Sequence, residues 1–374
     1  MKKSKLNILF VLENYYPLYG GAETVFINLC EGLAKKGHDV SVVVQKIPDT
    51  KDYEVKNGVK IHRIDCYSRY LYPFISIPLV FKLAKDADII HTSTYTGAGP
   101  SWLVSKLRRK PIVITIHEFL GKKWSYTLRW PSSALHRTME YLLMKLNYDK
   151  YVCVSKSTQN DLTNCVKKEK TTVIYNGFDW KFWNPKNYNS NEIRRKLSLS
   201  DNFVIFFYGR PGFSKGLEFL IRAMPKVSEK ISNARLLALV TQDKQYFSRY
   251  KKILKMVKQL QIDPICIIAS PVSGKELPNY ISAADIVVVP SLTEGFGYTT
   301  VESCAMGKPV VASDTSSIPE VIFGKYVLVE PKNPDAIAEG ILKVYNRDWK
   351  TSPKKNFNWK TNIEEHLKLY NRLK

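Results

Sequence analysis

The sequence predicts an α/β protein made of two domains of similar size, each built on a mostly parallel sheet. Short runs rich in Val and Ile alternate with longer stretches of helical periodicity along the whole chain, a pattern typical of parallel α/β units. With 374 residues, the chain is longer than one hydrophobic core usually serves. An Asn-rich stretch without periodicity, residues 176–192, interrupts the alternation and marks the domain boundary.

In the first half, the run LNILFVLE predicts a buried strand, and a Gly-Gly loop leads from it into an amphipathic helix. That helix ends at Gly37, a residue type that commonly terminates helices. Further strands are predicted from the runs DVSVVVQ, VKIHRID, DIIHTS, PIVITIH, YVCVS and TTVIYN. These elements make up a first domain over residues 1–176.

The second half restarts the pattern with the predicted strands FVIFFYG, RLLALV, PICIIA, DIVVVP, PVVAS and a weaker YVLVE. Helices are predicted at about 217–230, 246–260, 275–283 and 298–306. The second domain then covers residues 177–357, and residues 358–374 predict an amphipathic terminal helix.

The formal charge is strongly positive, with 57 Lys and Arg against 34 Asp and Glu, which predicts an anionic partner. A nucleic-acid-binding protein would satisfy the charge, but we find no motif of that class. The six cysteines are scattered without a CxxC pair, which predicts reduced thiols and neither a disulfide framework nor a zinc site. The first apolar run meets Glu13 after about eight residues, too few for a signal peptide or a membrane span, so we expect a cytoplasmic protein.

The residues that follow the predicted strands are the candidate ligand contacts, because parallel α/β sheets bind ligands beyond the carboxyl ends of their strands. Gly20 and Gly21 follow the first strand and open a helix, and His117 and Glu118 follow PIVITI. Paired glycines at a helix start let backbone N–H groups approach an anion, although a single Gly-Gly is more often a plain tight turn.

Arg210 and Lys215 lie on one glycine-flanked loop after FVIFFY. A guanidinium and an ammonium placed there can neutralise a diphosphate, or they can be two solvated charges. The glycines at positions 209, 212 and 216 lack the GxGxxG spacing, which disfavours a nicotinamide dehydrogenase.

The stretch EGFGYTTVE follows DIVVVP and opens a helix. Gly295, Phe296 and Gly297 supply amides for a second anion site at the helix N-terminus. Glu294 and Glu302 flank this site, either as an acid/base pair or as acceptors for hydroxyl groups at two ends of a ligand. Because they flank a phosphate-binding element, we favour the second interpretation.

Together these motifs resemble the retaining glycosyltransferases of family 4, which have the GT-B fold. The resemblance implies two facing Rossmann-like domains with an interdomain cleft, and a terminal helix that crosses back onto the first domain. Each piece is weak alone, but the ordered set is specific and covers nearly the whole chain: Gly20-Gly21-Ala22-Glu23, Asp88-x-x-His91, Thr115-Ile116-His117-Glu118, VSKS (154–157), YNGFD (175–179), GR…KG (209–216) and the E-x7-E pair Glu294 and Glu302.

The resemblance implies that the donor substrate is a nucleotide diphosphate sugar, held mainly by the second domain, and that no cofactor is needed. Arg210 and Lys215 would hold the diphosphate. The amides of Gly295–Gly297, including that of Phe296, would cap it. The family often has Gly-x-Gly where this chain reads LVTQDKQY, so the resemblance leaves the nucleobase open among UDP, GDP and ADP.

The resemblance also implies contacts to the sugars. Glu302 would accept hydrogen bonds from the ribose hydroxyls and Glu294 from hydroxyls of the donor sugar. His117 would contact the donor sugar near its 6-hydroxyl, and Gly20 and Gly21 would lie by the phosphate and the acceptor.

The implied reaction is the retaining transfer of a hexose, of mannose or glucose type, to a lipid-linked or glycan acceptor. The residues supply no evident nucleophile for a double displacement. Asp86-Ala87-Asp88 precedes a predicted strand rather than following it, so we expect no metal site there, and we interpret His91 as structural. The alternatives are epimerase or hydrolase chemistry on a nucleotide sugar with the same fold and, less favoured, nucleic-acid binding.

Residues 101–150 combine ten Lys and Arg with Trp102, Trp124, Tyr126 and Trp130, and the aromatic run CYSRYLYPFISIP (66–78) precedes them. Basic residues mixed with Trp and Tyr suit the headgroup zone of an anionic membrane. The same mixture also suits a solvated basic face over an aromatic core. We therefore hypothesise peripheral docking of the first domain on the cytoplasmic membrane face, toward a lipid-linked acceptor.

Overall fold

The computed structural model describes residues 5–374, without the side chain of Gln245. The basic residues Lys2 and Lys3 lie outside the described residues. The chain divides into two compact units. The N-terminal unit comprises the chain up to Trp124, Trp130–Phe178 and Phe357–Lys374, and the C-terminal unit comprises Ser125–Arg129 and Asp179–Asn356. The short segment Ser125–Arg129, which the sequence places in the first domain, therefore groups with the second.

The N-terminal unit is built on an eight-stranded sheet. Its strands are β1 (Asn7–Val11), β2 (Asp39–Gln45), β3 (Tyr53–Lys56), β4 (Val59–Ile64), β5 (Ile89–Ser93), β6 (Ile112–Ile116), β7 (Lys150–Cys153) and β8 (Thr171–Val173). Their order across the sheet is β3-β4-β2-β1-β5-β6-β7-β8, and every neighbouring pair is parallel except β3–β4. Every run predicted as a strand in this half of the chain is a strand.

Strand β3 is an element that the sequence analysis lacks. It pairs antiparallel with β4 through a tight turn at Asn57 and Gly58. Both turn residues have positive φ, 50° and 82°, as a two-residue turn that matches the twist of its strands requires. The Asn-Gly pair was the sequence signal that could have predicted this hairpin. The strand before it, YEVK, is short and weakly apolar, so its sequence does not indicate a strand.

Helices cover both faces of this sheet. They are α1 (Gly21–Lys35), α2 (Tyr72–Ile75), α3 (Ile77–Leu83), α4 (Ala98–Arg108), α5 (Ser132–Met144), α6 (Lys156–Leu162) and the terminal α14 (Trp359–Leu373). Crossovers between parallel strands are right-handed, so the direction in which the chain moves across the sheet determines which face the connecting helix covers. One hydrophobic core accordingly packs α1 and α14 against the sheet, and the other packs α3 to α6 against the opposite face.

The terminal helix α14 belongs to the N-terminal unit and lies close to α1. A Cβ added at Gly32 would stand 2.1 Å from Ile363 Cδ1, so a larger residue there would force the Ile363 side chain to move. The Tyr370 hydroxyl lies 2.5 Å from Nδ1 of His91, and the Thr115 hydroxyl lies 2.8 Å from its Nε2. His91 is fully buried and both of its ring nitrogens are paired, which confirms that it is structural.

The C-terminal unit is built on a seven-stranded sheet. Its strands are β9 (Phe203–Gly209), β10 (Ala234–Val240), β11 (Cys266–Ala269), β12 (Ile286–Val289), β13 (Val310–Ser313), β14 (Gly324–Val329) and β15 (Lys350–Ser352). Their order is β11-β10-β9-β12-β13-β14-β15, and only β15 is antiparallel to its neighbour. The chain order reverses on either side of β9, and such a switch point leaves the loops after β9 and β12 side by side.

The helices of the C-terminal unit are α7 (Ser190–Lys196), α8 (Leu217–Lys230), α9 (Phe247–Gln259), α10 (Leu277–Ala283), α11 (Tyr298–Ala305), α12 (Ile318–Val321) and α13 (Pro334–Tyr345). The four helices predicted here correspond to α8, α9, α10 and α11. The core of this unit packs α8 and α13 against the sheet. Among residues 5–374, no helix has both the length and the apolar character that a membrane crossing needs.

Candidate active site

The loop that follows β9 lies directly against the loop that follows β12, and one glycine makes this possible. Gly216 has φ 70°, and a Cβ there would stand 1.9 Å from the carbonyl oxygen of Pro290. No L-residue fits at that distance. The N–H of Leu292 donates to the Ser214 carbonyl over 2.7 Å. These contacts hold the two loops together at the switch point of the sheet.

Lys215 and Glu294 form an ion pair at this junction. Lys215 Nζ lies 2.6 Å from Glu294 Oε1, and the Ser291 hydroxyl donates to the same oxygen over 2.8 Å. The two charged side chains are 21% and 10% exposed, so the pair is shielded yet reachable by a ligand. The Ser317 hydroxyl donates to the Glu294 carbonyl over 3.0 Å. Both the carboxylate and the backbone of Glu294 are therefore fixed before any ligand arrives.

Gly295, Phe296 and Gly297 form the turn that leads into α11. Gly297 has φ 88° and caps the helix, a conformation that favours glycine. Phe296 is buried and its ring packs edge-on against Tyr298, with ring centroids 5.0 Å apart. Its side chain thus belongs to the core, and only its backbone can serve a ligand. The start of α11 offers the N–H groups and the helix dipole that attract an anion.

Glu302 lies on α11, and its Oε2 accepts a hydrogen bond of 2.8 Å from the Tyr208 hydroxyl. That hydroxyl, at the end of β9, also lies 3.1 Å from the Thr299 carbonyl oxygen. Burial raises the pKa of Glu302 to about 7, against the opposing effects of the Tyr208 hydrogen bond and of Lys215, and Glu294 adds a smaller rise. The carboxyl group of Glu302 therefore changes charge near neutral pH.

Arg210 is the exposed member of the site. Its Nη1 donates to the Tyr246 hydroxyl over 3.2 Å. Tyr246 ends the 3₁₀ turn Lys244–Tyr246 that follows β10, within the segment LVTQDKQY where this chain departs from Gly-x-Gly. The guanidinium is thus held at the solvent side of the loop, from which it can reach an anion.

In the N-terminal unit, His117 follows β6 and packs edge-on against Phe26, with ring centroids 5.4 Å apart. Burial lowers the pKa of His117 to about 4, so the imidazole is neutral at neutral pH. Within residues 5–374, its buried Nε2 has no hydrogen-bond partner. A buried polar atom without a partner costs free energy that a ligand hydroxyl would recover.

Gly20 and Gly21 stand at the start of α1, the first as the N-cap and the second as the first helical residue. A Cβ at Gly20 would stand 2.4 Å from a carboxylate oxygen of Glu23, and Asn14 donates to the other oxygen over 3.3 Å. The Glu23 carboxylate therefore already lies near the positive end of α1. An anion bound at this end would be repelled by the Glu23 carboxylate. The first turn of α11, by contrast, contains no acidic residue.

Asp88, in the stretch Asp86-Ala87-Asp88, lies just before β5. It accepts a hydrogen bond of 2.9 Å from the Asn7 N–H and pairs with Lys374 over 2.8 Å. Its carboxylate thus links the entrance of the sheet to the last residue of the chain, which is a structural role.

Sequence reasoning missed the hydroxyl groups that hold the charged residues of the site in place. Tyr208 binds Glu302, Ser291 and Ser317 bind Glu294, and Tyr246 binds Arg210. Only Tyr208 left a signal, because it is a hydroxyl-bearing residue near the carboxyl end of an otherwise apolar strand.

Comparisons with known proteins identify the family. The model of the family described as "Glycosyltransferase Family 4" matches residues 19–182, and that described as "Glycosyl transferases group 1" matches residues 189–366. An uncharacterized glycosyltransferase of Methanocaldococcus jannaschii is 30% identical over 366 residues, covering 92% of this chain and 90% of the relative. The α-monoglucosyldiacylglycerol synthase of Streptococcus pneumoniae is 25% identical over 348 residues, covering 88% of this chain and 77% of the relative.

Solved structures show the same architecture. The crystal structure of Anabaena HepE in complex with UDP superposes with a TM-score of 0.80 at 19% identity, covering 98% of this chain and all of that one. Two family models lie end to end along the chain, and the M. jannaschii relative spans nine tenths of it. The chain therefore belongs to the family 4, group 1 glycosyltransferases and has their two-domain α/β GT-B fold.

Proposed function

We propose that this glycosyltransferase moves a hexose, of glucose or mannose type, from a nucleotide diphosphate sugar to its acceptor with retention of configuration. The observation that carries the proposal is the 2.6 Å ion pair of Lys215 and Glu294 at the switch point, beside Glu302 and the start of α11. The site combines a cation for the diphosphate with carboxylates for hydroxyl groups. The UDP held by Anabaena HepE supports a nucleotide-sugar donor.

The chemistry follows from where charge develops. When the bond between the sugar and the diphosphate breaks, negative charge builds on the departing diphosphate. Lys215, Arg210 and the N–H groups at the start of α11 stabilise that charge, and preorganised groups of this kind usually supply the largest share of catalysis. Glu302 accepts hydrogen bonds from the ribose, and Glu294 accepts them from the donor sugar. Nε2 of His117 contacts the donor sugar near its 6-hydroxyl.

The hydrogen bonds that Glu294 accepts support retention without a covalent intermediate. Its Oε1 accepts hydrogen bonds from both Lys215 and Ser291, which makes the carboxylate a poor nucleophile. The acceptor hydroxyl then attacks from the face from which the diphosphate departs. A new C–O bond forms as the old one breaks, and the departing phosphate takes the acceptor's proton. Because Lys215 and Arg210 supply the positive charge, we propose that the reaction needs no metal and no cofactor.

We propose a lipid-linked or glycan acceptor and a cytoplasmic protein that works at the membrane face. The name of the S. pneumoniae relative specifies a glucosylated diacylglycerol, which supports a lipid acceptor and a glucose-type donor. The basic residues of the N-terminal unit suit an anionic membrane surface.

Incubation of the protein with UDP-, GDP- and ADP-hexoses, with and without acceptor lipids, tests the proposal. We expect acceptor-dependent release of one nucleotide diphosphate, at an undiminished rate in excess EDTA. Proton NMR of the product should show the anomeric configuration of the donor. Lys215→Met keeps the length of the side chain without its charge, and it should lose roughly 2.7–4 kcal/mol of transition-state stabilisation.

The other outcomes separate the alternatives. Nucleotide release that does not depend on an acceptor would indicate a hydrolase, and interconversion of donor sugars would indicate an epimerase. Loss of activity in EDTA would contradict the metal-free reaction, and an inverted product would contradict attack from the departing face.

A further inference from the structure

Helix α5 presents aligned apolar side chains to solvent. Leu135, Met139 and Leu142 are 59%, 47% and 60% exposed, and their spacing of four and then three residues places them on one side of the helix. Trp130, just before the helix, is 82% exposed. Scattered exposed apolar residues are ordinary, whereas an aligned group marks a surface that meets something apolar. We call the three helical side chains the α5 stripe.

The exposed surface of α5 also carries basic residues, whereas the one acidic residue of the helix points inward. Glu140 is buried, and its carboxylate accepts hydrogen bonds from the N–H groups of Leu120 and Gly121 over 3.1 and 2.7 Å. Arg137 and Lys145 are exposed, and no salt bridge among residues 5–374 involves either of them. A helix that exposes both apolar and basic side chains complements an anionic membrane.

A pocket of about 690 Å³ adjoins the helix. This volume falls within the range of small-molecule sites. The pocket also contains Asp161, whose charge is offset by Lys123 at 2.7 Å. Cations beside apolar side chains suit an anionic headgroup that is joined to an apolar chain. The lining residues that matter here are Phe119, Leu120, Lys122, Arg137, Tyr141 and Cys165.

We propose that the α5 stripe inserts into the headgroup zone of an anionic phospholipid bilayer and that the adjoining pocket binds the phosphate of a lipid headgroup. The inference rests on the proposed function, because it assigns the acceptor to the lipid class. Helices α3 and α4 pack on the same face of the sheet as α5. Phe81 and Leu107 on those helices are also exposed, which adds apolar side chains to the solvent side of this face.

Co-sedimentation with vesicles of phosphatidylcholine alone, or mixed with phosphatidylglycerol, tests this inference without any turnover. The full chain should bind the mixed vesicles and retain part of that binding at high salt, since apolar insertion is not screened. The double variant L135S/L142S should bind at least about tenfold more weakly, because it removes two leucine side chains from the insertion. Arg137→Gln should reduce the preference for the anionic vesicles while leaving the weak binding to neutral ones.

The matched control is Val55→Ser. Val55 lies in β3 of the same unit and is 59% exposed, as Leu135 is, but it is not part of the α5 stripe. This variant should bind vesicles as the wild type does. Nucleotide binding, measured without lipid, should be unchanged in every variant, because the groups proposed to bind the nucleotide diphosphate lie in the C-terminal unit.

A second measurement does not depend on the double variant being folded. Trp130 should be quenched by brominated phosphatidylcholine in mixed vesicles, and the difference between wild type and Trp130→Phe isolates its signal. Absence of that quenching, or equal vesicle binding by wild type and L135S/L142S, would overturn the inference. A dimer that L135S/L142S dissociates would assign the surface to a second copy of the chain and overturn it as well. Failure of nucleotide binding, by contrast, would count against the proposed function alone.

Discussion

Donor affinity should rise with pH across neutrality because of one carboxyl group, Glu302. Burial raises its pKa to about 7, so near neutral pH the free protein is divided between the protonated and the ionised form. The ionised form accepts hydrogen bonds on both oxygens, whereas in the protonated form one oxygen carries a hydrogen and acts as a donor. In the proposed site those oxygens receive the ribose hydroxyls together with the Tyr208 hydroxyl, 2.8 Å from Oε2. Donor binding should therefore release a proton from Glu302.

The magnitude follows from the pKa. The ionised fraction of a group with a pKa near 7 rises from about one tenth at about pH 6 to about nine tenths at about pH 8. Because the apparent Kd scales inversely with the competent fraction, donor should bind about tenfold more tightly at the higher pH. The diphosphate of a nucleotide sugar is esterified at both ends and stays ionised over this range, so the change reports on the protein.

Isothermal titration calorimetry with a nucleotide sugar, without acceptor, measures this dependence. Buffers of different ionisation enthalpy also count the protons released. Glu302→Gln cannot titrate and should bind weakly with a flat pH profile. A flat profile in the wild type, or an unchanged slope in Glu302→Gln, would show that Glu302 does not control donor affinity.

The same group makes the stability of the free protein depend on pH. The folded pKa of Glu302 is raised above the usual value of 4.5, so between these values the folded state holds a proton that the unfolded chain has released. Stability is therefore lost as pH rises through this window toward about 7, and donor binding offsets the loss. His117 and His366, whose pKa values burial lowers to about 4, contribute a slope of the opposite sign in wild type and variant alike. The difference in thermal stability between wild type and Glu302→Gln across this window should therefore isolate the contribution of Glu302.

Four substitutions, together with one control, test other parts of the proposal. Glu302→Ala should raise the donor Kd with a smaller effect on kcat, whereas Glu294→Ala should lower kcat and weaken discrimination between donor sugars; equal losses confined to kcat would restore the acid/base interpretation. Gly216→Ala should lower the free energy of unfolding by about 2 kcal/mol or more, through positive φ and a clash with backbone, while Gly274→Ala, with open space at its Cβ, should be close to neutral. Glu140→Gln places amide N–H groups where the carboxylate accepts hydrogen bonds, so some donors of the 119–124 loop lose their acceptor. Each lost acceptor should destabilise the loop by about 1–3 kcal/mol. Hydrogen exchange in the loop should become faster, without a change in nucleotide binding.

The sequence was sufficient to predict the elements that follow from local pattern. Apolar runs located the strands, and strand-end logic brought Lys215 and Glu294 into one candidate site. It could not show that these side chains touch, because they are 79 residues apart and meet only through the order of β9 and β12. The pairing of His91 with Tyr370, 279 residues away, depends in the same way on tertiary structure.

The burial of individual side chains also could not be predicted from the sequence. A glutamate in a polar-looking stretch gave no sign that Glu302 is desolvated enough to titrate near neutrality. Likewise, α5 reads as an ordinary amphipathic helix, and only its packing shows that Glu140 faces inward while Leu135 and Leu142 face solvent. These properties depend on which side of each helix the rest of the fold covers.

We propose that Lys215 and the start of α11 hold the diphosphate of the donor. The most direct measurement is the calorimetric affinity of a nucleoside, its monophosphate and its diphosphate for wild type and Lys215→Met. The wild type should gain affinity along the series. Lys215→Met should bind the nucleoside equally well and lose about 1.5–3 kcal/mol of the diphosphate's gain, the usual contribution of a hydrogen bond to a charged group. Binding of the diphosphate by Lys215→Met as tightly as by the wild type would contradict the account.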